Sequence, residues 1–475
     1  MSSMEYPMFI GGQWVQTGER RTVRLPYDGS PVAEYFVAGP EQVEAAVQAA
    51  RAAAPVMREM TLAERARILR KAARRLEERH EEVAMAISSE SGKPLREARV
   101  EVDRGIQTLT FSAEEAHRLA GEVVPMEAAP AGKGHWAITV REPLGVIAAI
   151  TPFNFPLNLA LHKIGPALAA GNAVVHKPAS ATPISALLMA EIFQECGLPA
   201  GALNVVTGPG GAIGDLLASH PEVAMVTFTG SPEVGQRIRS IAGMKRVTLE
   251  LGNNSALIVD ADAARDEAVA RAVPGSFANS GQVCISIQRI YVHRSIIEEF
   301  TARFVEATRA LKLGHPYDPS TEISSLITEA EAARVEEWIA EAVQAGARLL
   351  IGGKRKGAIM EPAVLADVPP HVRLSCREVF GPVVGINAFD QLDDAIELVN
   401  RSDYGLQAGI YTRDIGKAFY AARKLHVGGV MINEIPQYRV DHMPYGGVKL
   451  SGMGREGPRY AIEEMTECKL ICWKA

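Results

Sequence analysis

Short apolar runs alternate with helical stretches between Gly145 and Val259, and this alternation constrains the fold of the chain more than any other feature. GVIAAI (145–150), AVVH (173–176), LNVV (203–206), AMVTF (224–228) and the run that reaches Leu251 read as strands, with helices between them. Strands separated by helices of 10–15 residues build βαβ units and a parallel sheet. A second cycle follows Cys284: IQRIYV as strand, two helices (SIIEEFTARFVEATRAL and TEAEAARVEEWIAEAVQAGA), then RLLIGG as strand. Two α/β layers in series predict two domains with a cleft between them. The 475 residues, 47% of them hydrophobic, supply enough core for such an arrangement.

Two helix boundaries stand out. Thr61-Leu62-Ala63-Glu64 forms a capping box that opens one long amphipathic helix through Leu69, Leu76 and Val83, stopped by Gly92 and Pro94. Thr182 and Pro183 read as N-cap and first helical residue of a helix that ends at Gly197 and Pro199. Residues 119–141 lack helical periodicity and read as a projecting hairpin, and the final CKLICWKA reads as a strand that pairs with it or with another subunit. The net charge of −6 provides no basic field for nucleic acid or anionic lipid. No window of about 20 apolar residues predicts a membrane span. Five cysteines without a CxxC pair make a disulfide framework unexpected. The opening MSSMEYPMFI does not read as a secretion signal, so a cytoplasmic location is expected.

Five stretches carry candidate chemistry. Cys284 stands in SGQVCISIQR, where Gly281 allows a close turn and Asn279, Ser280 and Gln282 surround the thiol with polar groups. A lone thiol also reads as a small buried hydrophobe. Glu250 ends a strand next to Gly252, at the sheet edge that faces ligands in α/β folds, and can act as a base toward Cys284 if the fold joins them. Asn154 lies between two aromatic and two proline residues in Thr151-Pro152-Phe153-Asn154-Phe155-Pro156, where its amide can donate to an oxyanion or to its own turn. Lys177 ends a strand before a proline-fixed loop, a position suited to a hydroxyl or phosphate. Gly230 and Ser231 precede a helix whose amides can hold a pyrophosphate. The GxGxxG signature is absent, and Gly208-Pro209-Gly210-Gly211 lacks its spacing.

The order of these motifs, continued by Glu378-x-Phe380-Gly-Pro and Pro444-Tyr-Gly-Gly-x-Lys-x-Ser-Gly452, resembles the aldehyde dehydrogenase superfamily from about residue 10 to about residue 470. The resemblance implies an α/β fold: a Rossmann-type cofactor-binding domain (1–118 and 142–249), an α/β catalytic domain (250–437) and a small β oligomerisation arm with the C-terminal segment (119–141 and 438–475). It implies oxidation of an aldehyde to the acid with NAD or NADP, without a metal. Cys284 would be the nucleophile, Asn154 and the Cys284 backbone N–H the oxyanion donors, and Glu250 the base for the thiol or the hydrolytic water. Lys177 would contact the adenosine ribose, Gly230 and Ser231 the pyrophosphate, Glu378 the nicotinamide ribose, and Phe380 the ring. Lys163 and Glu456 match a proton relay. A homodimer or homotetramer is expected.

Departures from the family pattern sharpen the reading. Phe153 replaces a common Trp, and Asn253-Asn254 replaces Gly-Lys after Glu-Leu-Gly. Ser180 stands where NAD-selective relatives often carry Glu, which removes a repulsion against a 2′-phosphate, so NADP is expected to be tolerated or preferred. Arg104, in a helix that lines the substrate tunnel of relatives, and Arg439, with His442 beside it, point to a small hydroxylated or anionic aldehyde such as lactaldehyde, succinate semialdehyde or a phosphonylated or sulfonylated aldehyde. Arg104 also reads as an inter-helix salt-bridge residue. An acylating, CoA- or phosphate-dependent enzyme is the alternative on this fold, which Glu250 argues against, and a catalytically silent structural protein is the alternative outside it.

Overall fold

The structure is a computed structural model that describes residues 4–474. The first alternation becomes an eight-stranded sheet, ordered Gly452–Met453, Arg246–Glu250, Met225–Thr229, Val146–Ile150, Ala173–Lys177, Leu203–Val205, Met8–Ile10 and Gln13–Val15. Its five central strands are parallel. Four of these five are buried throughout, which is why they read as unbroken apolar runs rather than as alternating ones. From Val146–Ile150 the chain steps outward to Leu203–Val205, then returns to the other side of Val146–Ile150. That reversal opens a crevice at the C-terminal ends of Val146–Ile150 and Met225–Thr229.

The second sheet has seven strands, ordered Arg348–Ile351, Ala363–Ala366, Val383–Phe389, Ile287–His293, Ser255–Val259, Gln407–Tyr411 and Gly429–Ile432. All neighbours are parallel except Arg348–Ile351 with Ala363–Ala366. It has its own hydrophobic clusters, separate from that of the first sheet.

Two helix expectations need correction. The helix opened by the Thr61 capping box ends at Glu78, and a second runs His80–Ser91, closed by left-handed Gly92. The break falls at Arg79, whose φ of −102° and ψ of 22° leave the helical region. Its guanidinium turns outward to Glu82 and Glu191 at 2.7 and 2.8 Å. The helix Ile184–Glu195 is not capped by Thr182. The buried Glu90 carboxylate reaches in from the helix His80–Ser91 and accepts from the Ile184 and Ser185 amides at 2.6 and 3.2 Å, so a distant residue does the work of a local cap.

The last strand, Thr466–Lys474, pairs antiparallel with His135–Pro143 of the same chain over nine residues. The expected hairpin is slight: only Val123–Val124 pairs with the other face of His135–Pro143. The preceding part of the C-terminal segment joins the first sheet instead. Gly452–Met453 pairs with Leu249 and Glu250, and Ile462 and Met465 enter the first core. Among the described residues no helix is long and apolar enough to cross a membrane.

Candidate active site

The loop before Cys284 is strained in a specific way. Asn279, Ser280 and Gly281 all have positive φ, at 48°, 54° and 75°. A Cβ on Gly281 would come within 2.1 Å of the Gly381 carbonyl oxygen, so only glycine fits. Long-range hydrogen bonds hold this conformation. The Glu97 carboxylate accepts from Asn279 N at 2.7 Å, Ser280 Oγ donates to Ser324 O at 3.1 Å, and Ile327 N donates to Gln282 Oε1 at 2.9 Å. Strain this well braced marks a functional loop. Beyond it Val283 and Ile285 turn into the core, and Cys284 lies between them, partly exposed.

Asn154 meets the same loop. Its Nδ2 donates one proton to Gln282 O at 2.9 Å and has a second to give, while its buried Oδ1 has no partner among the described residues. Cys284 Sγ lies 2.9 Å from the Tyr445 hydroxyl. Burial pushes the thiol up to about 11, and the Tyr445 hydrogen bond opposes this. Tyr445 escaped the sequence reading because its motif reads as a glycine-rich turn.

Glu250 ends its strand fully buried, and neither carboxylate oxygen has a partner among the described residues. Burial first, then the like charge of Glu456, pushes its pKa well above the ordinary carboxylate range. A Cβ on Gly446 would come within 2.9 Å of Glu250 Oε1, so Gly446 keeps that space open. Lys163 Nζ donates to Glu456 at 2.7 Å, and Arg439 donates to its other oxygen at 3.1 Å. The two residues expected in a relay therefore do meet, with Arg439 joining them.

A cavity of about 260 Å³ opens beside Cys284, and Arg104, Arg439, Glu97, Phe155 and Tyr445 are among its lining residues. The helix Leu95–Ala116 presents Glu97, Val100, Glu101 and Arg104 to it, a spacing that keeps one helix face on one wall. Arg104 is at once a salt-bridge residue and a cavity residue. It grips Asp441 through two nitrogens at 3.2 and 2.8 Å. Asp441 also accepts from Asn158 Nδ2 at 3.0 Å and bonds His162 Nε2 at 2.9 Å. Arg439 lies 3.7 Å above the Tyr445 ring centroid, and its Nε has no partner among the described residues. His442 packs against Phe111 and is not among the lining residues named for the cavity.

The crevice of the first sheet gathers the expected cofactor residues. Lys177 is buried, has no ion-pair partner among the described residues, and is pushed down to about 8 by burial. A buried ammonium without a counter-charge suits a hydroxyl-bearing ligand. Ser180 Oγ donates to Gly208 O at 2.7 Å, and a Cβ on Gly210 would lie 3.6 Å from Lys177 Nζ. Gly208 to Gly211, which carried no signal by spacing, thus borders the same groove. The Gly230 amide is spent on Glu250 O at 3.0 Å, and Ser231 Oγ caps the helix Pro232–Ile241. The Gly230 amide is therefore not free for a phosphate, and the amides of the first helical turn are the donors that remain there.

Glu378 accepts from Asn253 N at 3.0 Å, and burial pushes it up to about 7. A Cβ on Gly252 would come within 2.5 Å of Glu378 Oε2. The unusual Asn253-Asn254 pair ties this region together: Asn254 Nδ2 donates to Ser375 O and Arg377 O at 2.8 and 3.0 Å. Phe380 has a φ of +49° and meets Phe153 edge-to-face at 5.8 Å. Together these groups present hydroxyl-, phosphate- and ring-binding chemistry, which fits a dinucleotide. No group of three or more His, Cys, Asp or Glu residues among those described is arranged to hold a metal ion.

Comparison with known proteins agrees with this geometry. A model described as "Aldehyde dehydrogenase family" matches residues 14–471. The chain is similar to 3-sulfolactaldehyde dehydrogenase of Priestia aryabhattai, 50% identical over 467 residues, 98% of each chain. It superposes on aldehyde dehydrogenase 21 from Physcomitrella patens in complex with the reaction product succinate, with a TM-score of 0.98 at 39% identity, covering 100% of this chain and 99% of that one. NADP-dependent glyceraldehyde-3-phosphate dehydrogenase from Bacillus halodurans, complexed with NADP, superposes with a TM-score of 0.97 at 38% identity over 99% of each chain.

Proposed function

We propose that this chain, which belongs to the aldehyde dehydrogenase family and oxidises a small aldehyde to its acid with NAD(P), takes an aldehyde bearing a second, anionic group. The observation that carries this is the charge balance beside Cys284. Lys163 and Arg439 share the one Glu456 carboxylate, which neutralises only one of the two cations, and Arg439 is the one that lies on the cavity wall. Arg104 is balanced by Asp441 and contributes a nitrogen left over from that grip. Three similar proteins support the reading: their descriptions name a sulfonated aldehyde, succinate and a phosphorylated aldehyde.

The chemistry then follows from the residues. Cys284 Sγ attacks the aldehyde carbon, its proton leaving toward Glu250. The Asn154 amide and the Cys284 backbone N–H stabilise the oxyanion, each donor contributing about 3–4 kcal/mol to the transition state. When bound, NAD(P) would supply the hydride acceptor for the thiohemiacetal that Cys284 holds. Glu250, raised in basicity by burial, passes the thiol proton on to solvent and, again ionised, deprotonates the water that hydrolyses the thioester, which argues against an acylating enzyme. Lys177 and Glu378 would hold the two riboses, the first turn after Ser231 the pyrophosphate, and Phe380 the nicotinamide. Ser180, uncharged and close to Lys177, leaves room for a 2′-phosphate, so NADP is the favoured cofactor.

Both sheets contribute to this labour: Lys177, Ser231 and Glu250 stand at strand ends of the first, and Cys284, Glu378 and Phe380 lead into strands of the second. The arm leaves Trp136, Leu470, Ile471 and Trp473 exposed, which supports a homodimer or homotetramer, and five free cysteines accord with a reducing cytoplasm. The test is a panel of 3-sulfolactaldehyde, succinate semialdehyde and propanal, each assayed with NADP and with NAD by absorbance of the reduced nicotinamide. The anionic aldehydes with NADP should give the highest kcat/KM. Propanal equal to them would overturn the substrate reading, and a strong preference for NAD would overturn the cofactor reading.

A further inference from the structure

We infer that Tyr445 is a catalytic residue: its hydroxyl donates a hydrogen bond to Cys284 Sγ, holding the sulfur in place and stabilising it as the thiolate. This rests on reading Cys284 as the nucleophile. The hydroxyl stands 2.9 Å from the sulfur and has no other partner among the described residues. Nothing in the packing requires it. The ring alone fills the small apolar cluster with Val283, Ile285 and Leu406, and a phenylalanine would fill it equally. A buried hydroxyl with one partner, and that partner a reactive sulfur, is placed for the sulfur.

Tyr445 is held through its backbone and through one ring face. Tyr445 exchanges backbone hydrogen bonds with Glu456, N to O at 3.1 Å and O from N at 2.6 Å. The Arg439 guanidinium covers one face at 3.7 Å from the centroid, and is itself held by Glu456. The following residue, Gly446, lies against the Glu250 carboxylate, so the residue that touches the sulfur and the residue that makes room for the base are adjacent in the chain. Burial and the neighbouring sulfur keep the phenol protonated, its pKa well above the ordinary value, so toward a thiolate it can only donate. A neutral thiol is a weak acceptor and a thiolate a strong one, so the bond strengthens as the nucleophile forms.

The titratable and charged groups that face this pair are Glu250, Glu378, Arg439 and Glu456, with Glu97 and Arg104 across the cavity. The test therefore compares variants that leave all of them in place. Full-length enzyme and Y445F, without cofactor, are treated with iodoacetamide across a pH series, and alkylation of the Cys284 peptide is followed by mass spectrometry. This reads the thiol directly, whether or not Cys284 proves to be the nucleophile of the enzyme. Loss of the donor should move the midpoint up by about one unit and slow alkylation below it about tenfold. A second variant, 3-fluorotyrosine at position 445, keeps the packing and makes a stronger donor, and should move the midpoint down. Unchanged fluorescence titration with NADP confirms that each variant is folded. A midpoint that stays put in both variants, or that falls in Y445F, overturns the proposal. If both midpoints shift as expected but C284S retains turnover, the nucleophile reading fails and the Tyr445 contact stands.

Discussion

The cavity beside Cys284 has two unlike walls. On the wall lined by Glu101, Arg104 and Asn158, the charges are answered from behind: Arg104 and Asn158 meet Asp441, which also meets His162, and Glu101 meets buried Lys93 and the Leu157 and Asn158 amides. Arg439 lines the other wall, and around it and Cys284 buried polar atoms are left without partners among the described residues: both Glu250 oxygens, Asn154 Oδ1 and Arg439 Nε. Leaving a buried polar group unpaired costs about 1–3 kcal/mol, so stability alone does not favour such a cluster. On the proposed reading, the paired wall holds the shape and the unpaired wall is available to a ligand. Arg104 and Arg439, which look equivalent in sequence, fall on opposite sides of this division.

Substitutions on the unpaired wall should abolish chemistry while leaving the fold intact. Cys284→Ser should lower kcat by about 10⁴-fold or more while NADP binding, read by fluorescence, stays at the wild-type level. Turnover within tenfold of wild type would break the comparison at its centre. Glu250→Gln should lower steady-state turnover by about 10²–10³-fold. The pH profile carries the sign: with its pKa raised, Glu250 loses its proton well above the ordinary carboxylate range, so wild-type activity rises with pH there. The glutamine variant should lack that limb, and its survival would assign the base elsewhere.

The paired wall should respond in the opposite manner. Asp441→Asn removes the charge that answers Arg104 and should cost about 3 kcal/mol of stability in urea unfolding. Burial by itself would raise the Asp441 carboxyl, but His162 and Arg104 outweigh it and hold it far below the usual range. Its contribution is therefore present above the unfolded carboxylate range and is lost only in strong acid, as pH falls through the depressed value. An unchanged unfolding midpoint would remove the distinction between the walls. The smallest effect is expected at Arg104. Arg104→Ala should raise KM for an anionic aldehyde less than about tenfold, whereas Arg439→Gln should raise it about 10–100-fold. A larger effect at Arg104 would move the anion to the paired wall.

Much of this site is legible in the residues alone. Cys284, Glu250 and Asn154 stand in motifs whose order along the chain limits the chemistry, and the central strands announce themselves because burial on both faces writes an unbroken apolar run. The long helix opened at Thr61 shows where such reading fails. Its capping box is real, but the break at Arg79 follows from where the guanidinium finds Glu191, 112 residues away. The cap expected from Thr182 fails for the same reason, since Glu90 supplies it from 94 residues away.

Sequence by itself determined which reactive side chains are present, in what order, and on which strand ends they fall, because periodicity and turn chemistry are local. Only the tertiary structure decided which of them are left unpaired. Arg104 finds Asp441 across 337 residues, Lys163 finds Glu456 across 293, and Tyr445 finds Cys284 across 161. Whether a buried charge is spent or available depends on such partners, and partners are set by packing in space, which no local pattern records.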